Sequence, residues 1–357
     1  MQSSSKVALF GGNSNPFEIK QLASIDLLQG EILVRVTCCT ICGSDLHTFC
    51  GRRTGPIPAV LGHEIIGIVE NWSGSTPTDY LGNQIQVGQR ITWGLSASCN
   101  NCSFCKKGIP QKCESLFKYG HAKFDGRPTG GLADRCVLVP GTTIYPIPDH
   151  VPDEVACPAN CATATVFAAL RLVEEVSEIR GKRVLITGLG MLGLTACAAC
   201  KSKGADRIVA IDTIADRRKL ALDFGADETI GPDNLAPDQT NEFDIALEFS
   251  GAKSAIAECV SRLAIGGIVV LAGSVFPNGE VPVDPENIVR RILTIRGIHN
   301  YRSDDLADAI QFLESNQRKF PFAKLVSKKF GLHQIDDAFK MANSGTEIRV
   351  AVVPSIN

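Results

Sequence analysis

The segment from residue 184 to Asp212 restricts the fold of this chain more than any other part. An apolar run at 184–187 leads into the glycine pattern G-x-G-x-x-G, and an apolar helical run follows at about 194–201. A second apolar run, 208–211, ends at Asp212. Strand, glycine turn, helix, strand and acid stand in the order of a dinucleotide-binding βαβ unit. The sequence therefore predicts an α/β fold with a doubly wound parallel sheet.

Each part of this unit predicts a contact with a nucleotide. The first glycine allows a tight turn, the second lets the backbone approach the pyrophosphate, and the third lets helix and strand pack closely. Asp212 would accept the adenosine ribose hydroxyls and repel a 2′-phosphate, which favours NAD over NADP. A purely structural glycine turn is the alternative. The predicted cofactor-binding residues here are Gly188, Gly190, Leu192, Gly193, Asp212 and Arg217.

Length and composition limit the class of protein. The 357 residues are enough for two domains and a substantial core. A net charge of −2 argues against nucleic-acid binding through a basic surface. No apolar run approaches the roughly 20 residues that span a bilayer, and the N-terminal M-Q-S-S-S-K-V lacks an apolar signal core. We therefore expect a soluble, cytoplasmic protein whose clustered cysteines bind metal rather than form disulfides.

The pattern of the chain changes near residue 155. Before that point short strands alternate with turns, whereas after it helices alternate with apolar strands, as in parallel α/β architecture. The C-terminal residues are expected to return to the first domain, so the predicted domains are 1–155 with 299–357, and 156–298. Predicted strands outside the glycine unit are 32–37, 65–70, 90–93, 243–249, 268–272, 293–298 and 350–353, and a further helix is predicted at 304–314.

Three residues far apart in the sequence predict a zinc site with an open position. Cys42 lies in G-I-C-G-S-D-L-H, His63 in G-H-E, and Cys161 in P-A-N-C-A-T-A-T-V. Two thiolates and an imidazole can bind zinc and leave the fourth position to water or a substrate. Taken singly, Cys42 could be a buried apolar residue and His63 a turn histidine. Their order around the nucleotide-binding unit favours the metal site.

Two polar residues beside Cys42 suit proton transfer. Zinc lowers the pKa of a hydroxyl group that binds to it, so a proton released there needs a path out of a dry site. Ser44 could bond the substrate hydroxyl, and His47, one helical turn further, could carry the proton onward. A helix-cap hydroxyl and a surface histidine are the alternatives.

A second cysteine cluster predicts a closed metal site. The spacing C-x2-C-x2-C-x7-C, in a lobe at 94–116, can surround one tetrahedral zinc and leave no open position, which indicates a structural role. An iron–sulfur cluster is less favoured because the pattern C-x2-C-x2-C-x3-C-P is absent. The four predicted ligands are Cys99, Cys102, Cys105 and Cys113.

Together, these motifs resemble the zinc-dependent medium-chain dehydrogenase/reductase superfamily from about Gly30 to Pro354. The resemblance implies a GroES-like catalytic domain, a Rossmann NAD-binding domain, one catalytic and one structural zinc per chain, and a homodimer or homotetramer. It also implies that Glu64 stands beside or on the catalytic metal and that Arg349 contacts the cofactor pyrophosphate. By motif position, Cys42, His63 and Cys161 match the catalytic zinc ligands, and Ser44 and His47 match the proton relay.

Three stretches, G-R-R-T-G-P-I-P-A-V-L-G-H-E, Q-K-C-E-S-L-F-K-Y-G-H and A-N-C-A-T-A-T-V, resemble a bacterial branch of phosphonate-catabolism-associated and cyclitol-type alcohol dehydrogenases. The resemblance implies NAD-dependent oxidation of a small polar alcohol, either a secondary alcohol, a polyol or a cyclitol, to a ketone or aldehyde. The alternatives are oxidation of a hydroxyalkylphosphonate or phosphorylated polyol, NADPH-dependent reduction of an aldehyde or enone, and NAD binding without chemistry.

The sequence allows two interpretations of several other residues. Arg52 and Arg53 could bind an anionic substrate group or be a solvated loop pair. Trp93 is either a pocket residue or part of the core, and His121 either borders the pocket or is an ordinary loop histidine. Further candidates for the pocket lining are Phe117 and Tyr119.

Overall fold

A computed structural model describes residues 5–12, 15–235 and 241–356. Of the described helices, none is by itself both long and apolar enough to cross a bilayer, although the bent pair Asp153–Asn160 and Ala162–Glu174 reaches that length and composition jointly. Strands β1 to β18 are Ser5–Phe10, Glu18–Leu22, Ile32–Thr40, Ala59–Val60, Glu64–Trp72, Arg90–Trp93, Ser96–Ala97, Phe117–Lys118, Arg135–Leu138, Ile144–Pro146, Arg183–Thr187, Arg207–Ile211, Glu228–Ile230, Phe243–Glu248, Leu263–Leu271, Thr294–Gly297, Val326–Phe330 and Arg349–Val352. Helices α1 to α10 are Gly43–Phe49, Ser103–Lys106, Asp153–Ala156, Ala162–Glu174, Met191–Ser202, Ala215–Asp223, Lys253–Ser261, Pro285–Arg290, Ser303–Asn316 and Ile335–Ser344. Short 3-10 helices are Pro110–Lys112, Cys157–Asn160, Pro232–Asn234, Phe322–Leu325 and Leu332–Gln334.

The chain divides into two compact units. The first holds the described residues up to Cys161, together with Arg302–Gln317 and those from Phe322 onward. The second holds Ala162–Tyr301 and Arg318–Pro321. The divisions after Cys161 and Tyr301 fall a few residues beyond those that the sequence predicts, and Arg318–Pro321 belong to the second unit although they lie in the predicted range 299–357. The predicted ranges remain predictions.

The second unit is built on a six-stranded parallel sheet. Its strand order is β13-β12-β11-β14-β15-β16, in which β11 lies between β12 and β14. This is the order of two βαβ halves that diverge from a central strand. Strands β11, β12 and β14 are buried almost throughout, which explains their continuous apolar runs. The predicted α/β fold with a doubly wound sheet is confirmed.

The glycine turn joins β11 to α5 in this sheet. Gly188 has a φ of +85°, a conformation that favours glycine, and Gly190 is the N-cap of the helix. The helix begins at Met191 rather than near Leu194, because the chain completes its turn within three residues. Gly193 therefore lies in the first helical turn, where a Cβ atom would overlap the carbonyl oxygen of Gly188.

The largest sheet of the first unit brings distant segments together. Its strand order is β10-β6-β5-β3-β18-β17, with β9 also paired to β3. Near the end of β3, Thr40 lies opposite Glu64 of β5 and also opposite Ala351 of β18. One end of the sheet consequently brings three segments together: the loop after β3, the loop before β5 and the start of β18.

Two of the predicted pocket residues belong to the core of this unit. Trp93 and Tyr119 are fully buried and lie 6.0 Å apart, ring centroid to ring centroid, with their rings edge to face. The Tyr119 hydroxyl accepts a hydrogen bond from the backbone N–H of Val139 at 2.9 Å. We therefore assign both residues to packing rather than to substrate contact.

Substitution of the two later glycines of the turn should affect stability to different extents. Gly193→Ala should destabilise the protein by about 1–3 kcal/mol, because the added methyl group has to displace backbone. Gly190→Ala should leave stability within about 1 kcal/mol of wild type, because no atom lies within 4 Å of its Cβ position and its φ is −78°. Urea denaturation of both variants measures the difference, and equal destabilisation would contradict this account of the turn.

Candidate active site

The three predicted zinc ligands come together in the first unit. Cys42 is the N-cap of α1, His63 directly precedes β5, and Cys161 follows the 3-10 helix Cys157–Asn160. Their ligand atoms all lie within 4.8 Å of one another, and the sulfurs of Cys42 and Cys161 are 4.0 Å apart. Sulfurs bound to one tetrahedral zinc, at about 2.3 Å each, stand ~3.8 Å from each other. The donor set and its spacing therefore fit a single zinc ion with one open position.

Asp45 holds two of these ligands in place. Its carboxylate accepts hydrogen bonds from the backbone N–H of Cys42 at 2.9 Å and from that of Gly62 at 3.3 Å, and it contacts His63 Nδ1 at 3.2 Å. Burial alone would lower the pKa of His63, but the charge and hydrogen bond of Asp45 raise it to about 10. The contact orients Nε2 for a metal. Sequence reasoning assigned no role to Asp45, although its position three residues after an N-cap is typical of a capping residue.

Asn160 connects the Cys161 turn to the strands beside it. Its amide nitrogen donates to the carbonyl oxygens of His63 and Trp93, both at 3.0 Å, and its amide oxygen accepts from the N–H of Ile65 at 3.3 Å. The side chain is fully buried. Because these contacts join distant segments, no local sequence signal could have revealed them.

Glu64 lies beside the three-residue cluster rather than in it. Its carboxylate accepts a hydrogen bond from Thr40 Oγ1 at 2.6 Å and pairs with Arg349 Nε at 3.1 Å and Nη2 at 3.2 Å. Burial raises the pKa of Glu64 to about 7, while the Arg349 cation opposes that rise. In this structure Arg349 and Thr40 occupy the oxygens of Glu64, and its approach to a bound metal remains a prediction.

Arg349, which begins β18, also reaches Cys42. Its Nη2 atom lies 3.4 Å from the sulfur of Cys42. A hydrogen bond from Cys161 and, against the effect of burial, the Arg349 charge lower the pKa of the Cys42 thiol. The arginine thus stabilises the thiolate form that a metal requires. Its predicted contact with the cofactor remains a prediction.

Ser44 and His47 lie on α1 next to the cluster. Ser44 Oγ is 3.2 Å from His63 Nε2, the ring nitrogen opposite the one that contacts Asp45. His47 is half-buried, and burial followed by the charges of Arg52 and Arg53 lowers its pKa. A lowered pKa keeps His47 neutral near pH 7 and able to accept a proton.

The four cysteines of the lobe form a second compact group. Three sulfur pairs, Cys102 with Cys105, Cys102 with Cys113, and Cys113 with Cys99, are separated by 3.5, 3.9 and 3.4 Å. Backbone N–H groups of residues 101 and 102 donate to the Cys99 sulfur and lower its pKa. The sulfur spacing fits one tetrahedral zinc in which protein atoms fill all four positions.

The glycine turn of the second unit borders a cavity of about 290 Å³. Gly188 and Asp212 line it, whereas Gly190, Leu192 and Arg217 are not among its lining residues. The Asp212 carboxylate accepts hydrogen bonds from the backbone N–H of Leu189 at 2.7 Å and of Ile214 at 2.8 Å. Sequence reasoning missed Arg218, whose Nη1 donates to the carbonyl oxygens of residues 212 and 213.

Comparison with known proteins agrees with this geometry. Residues 28–149 match the alcohol dehydrogenase GroES-like domain, and residues 192–315 match the zinc-binding dehydrogenase family. An L-threonine 3-dehydrogenase of Deinococcus radiodurans is 30% identical over 284 residues, which cover 75% of each chain. The chain belongs to the zinc-dependent medium-chain alcohol dehydrogenase superfamily.

Other members of the superfamily match the chain along nearly its full length. A 5-exo-hydroxycamphor dehydrogenase of Pseudomonas putida is 27% identical over 350 residues, covering 95% of this chain and 96% of that relative. The crystal structure of an alcohol dehydrogenase from Thermotoga maritima has a TM-score of 0.92 at 26% identity, covering 99% of this chain and 100% of that one. The predicted superfamily and its GroES-like domain are confirmed, while the narrower bacterial branch remains a prediction.

The two cysteine groups of this superfamily member predict separable effects of mutation. Cys161→Ala should empty the three-residue site while the lobe keeps its zinc, so the melting temperature should change little. Cys102→Ala should lower the melting temperature, because a structural zinc contributes folding free energy. Zinc per chain and thermal melts of both variants test this, with Cys50→Ala, outside both groups, as the control. Equal metal loss from both sites in both variants would contradict the division of roles.

Proposed function

We propose that this protein oxidises a small polar alcohol with NAD, giving a ketone or aldehyde. The observation that carries the proposal is a three-ligand site with an open position and the Ser44 hydroxyl beside it. When bound, zinc polarises the alcohol oxygen and the nicotinamide accepts the hydride. The substrate class proposed is a secondary alcohol, polyol or cyclitol.

The chain's own residues supply binding and proton transfer. Ser44 can accept the proton of a substrate hydroxyl, and His47, one turn further along α1, can receive it in the neutral form that its lowered pKa maintains. Arg349 offsets the negative charge of Cys42 and Glu64. The Asp45 carboxylate keeps His63 oriented during turnover.

We favour NAD because of the charges around Asp212. A carboxylate at this position would repel a 2′-phosphate, and the neighbouring Arg218 directs Nη1 at backbone carbonyls. Arg349 is proposed to contact the cofactor pyrophosphate, as the family resemblance implies. The NADPH-dependent reductase is the second candidate, and an NADP control distinguishes the two.

The proposal is tested by an absorbance screen for NADH formation with polyols, cyclitols, hydroxyalkylphosphonates and simple alcohols. Ser44→Ala should lower kcat by about 10²-fold or more while zinc content and NAD binding stay unchanged, because the variant loses only the proton path. Ser261→Ala, an exposed hydroxyl of the second unit, is the control. A zinc-loaded protein that binds NAD and turns over no alcohol would favour the non-catalytic alternative.

We further propose that the protein forms a homodimer or homotetramer through the edge of its six-stranded sheet. Strand β16 pairs with β15 on one side and ends the order of described strands. Beside this edge the side chains of Ile265, Val289 and Ile292 are 69%, 75% and 72% exposed. The backbone N–H of Gly266 donates to the carbonyl oxygen of Arg291, which brings Ile265 close to Ile292. An unpaired edge with exposed apolar side chains suits pairing with a second copy.

Val289→Asp should therefore lower the mass in solution toward that of one protomer, because a charge would be buried in the interface. Leu81→Asp, on a residue of the first unit that is 78% exposed, should leave the mass unchanged. Sedimentation velocity measures both. Identical masses for wild type and Val289→Asp would contradict the proposed interface. Because none of the fourteen cysteines forms a disulfide, we also propose a reducing, cytoplasmic location.

A further inference from the structure

A cavity of about 300 Å³ in the first unit adjoins the three-residue metal site. His121 lines it, and the His121 ring packs on the ring of His63, with centroids 5.0 Å apart. Thr54 and Phe117 contribute a hydroxyl and an aromatic wall. A molecule bound at the open metal position could therefore extend into this space within the first unit.

The charged residues of the cavity are all basic or potentially basic. Arg53, Lys118 and His121 line it, and no acidic side chain is among the lining residues that the structure describes. Within the described chain, neither Arg53 nor Lys118 forms an ion pair with a carboxylate. Burial, and then the nearby Arg53 charge, lower the pKa of Lys118 to about 8. Two cations held together in a partly enclosed space are unfavourable unless an anion joins them.

Arg52 and Arg53, the neighbouring arginines that the sequence analysis considers together, differ in whether they line the cavity. Arg53 is half-buried and lines the cavity, whereas Arg52 is exposed and is not among its lining residues. The backbone N–H of Arg53 bonds the carbonyl oxygen of His47 at 3.1 Å, which ties its loop to α1. Lys118 comes from β8, which pairs with β7, so both cations stand on anchored segments.

We propose that this cavity binds an anionic group, a carboxylate or a phosphoryl or phosphonyl group, carried by the alcohol substrate. Arg53 and Lys118 bind the anion, and the carbinol end of the same molecule lies at the three-residue site. This inference rests on the proposed alcohol oxidation and narrows its substrate class. Loss of the charge-assisted hydrogen bonds from one of these cations should weaken binding of the anion by about 10- to 100-fold.

Binding of simple anions tests the cavity without turnover. Inorganic phosphate, methylphosphonate and acetate are titrated into the zinc-loaded protein by calorimetry. Lys118→Met and Arg53→Met should each weaken binding of the favoured anion by about 10-fold or more, while Arg52→Met should not. Phosphate or methylphosphonate binding without acetate binding identifies a phosphoryl-type group, and the reverse identifies a carboxylate. No anion binding, or binding that Lys118→Met and Arg53→Met leave unchanged, overturns the inference.

Matched alcohols then test the link to the reaction. Glycerol 3-phosphate is compared with glycerol, and 3-hydroxybutyrate with 2-butanol. The anionic member of the favoured pair should have the higher kcat/KM, and Lys118→Met should remove that advantage, whereas Arg52→Met should preserve it. Equal kcat/KM values within both pairs overturn the inference while leaving the proposed oxidation intact. Phosphate that competes with NAD rather than with the alcohol also overturns it, because the cavity would then hold a cofactor phosphate.

A further outcome separates the two proposals. If no alcohol is oxidised but phosphate binding is lost in Lys118→Met, the anion site stands and the proposed function fails. The binding measurements test the anion site and the kinetic measurements test the proposed oxidation, so either proposal can be refuted without the other.

Discussion

The contacts of one buried carboxylate determine whether the metal site can form. Asp45 bonds the backbone of Cys42 and of Gly62 and contacts His63, so a single side chain fixes two loops from different strands. A buried carboxylate is costly unless its oxygens are satisfied, and these three partners satisfy them. The positions of Ser44 and His47 follow, because they lie on the helix that contains Asp45.

Periodic segments could be predicted from the sequence because their signals are local. The strand at 90–93 has the bounds of β6, and the predicted strand at 243–249 matches β14 to within one residue. The start of α5 could not be placed correctly, since the glycine turn ends at Gly190 and the helix takes over three residues that the sequence pattern left to the turn. The metal-binding pattern of the cysteine lobe could also be predicted, because its four cysteines lie close together in the sequence.

Contacts between distant segments were not accessible from the sequence. The bonds of Asn160 to His63 and Trp93, and the pairing of Glu64 with Arg349, depend on which strands lie side by side. The same is true of the cavity, which joins Arg53 from one loop to Lys118 from a later strand. Motif matching predicted the metal ligands, whereas the charges that surround these residues could be described only from the fold.

The pairing of β18 with β3 has a consequence for biosynthesis. Arg349 meets Glu64 and Cys42 across about 285 and 307 positions of sequence, with the whole six-stranded sheet encoded between them. While the ribosome is still translating that sheet, the earlier residues of the centre have no arginine to balance their charge. The chain therefore cannot complete this centre until the segment that begins at Arg349 has emerged, so the charge balance of the centre is established late in the maturation of the protein.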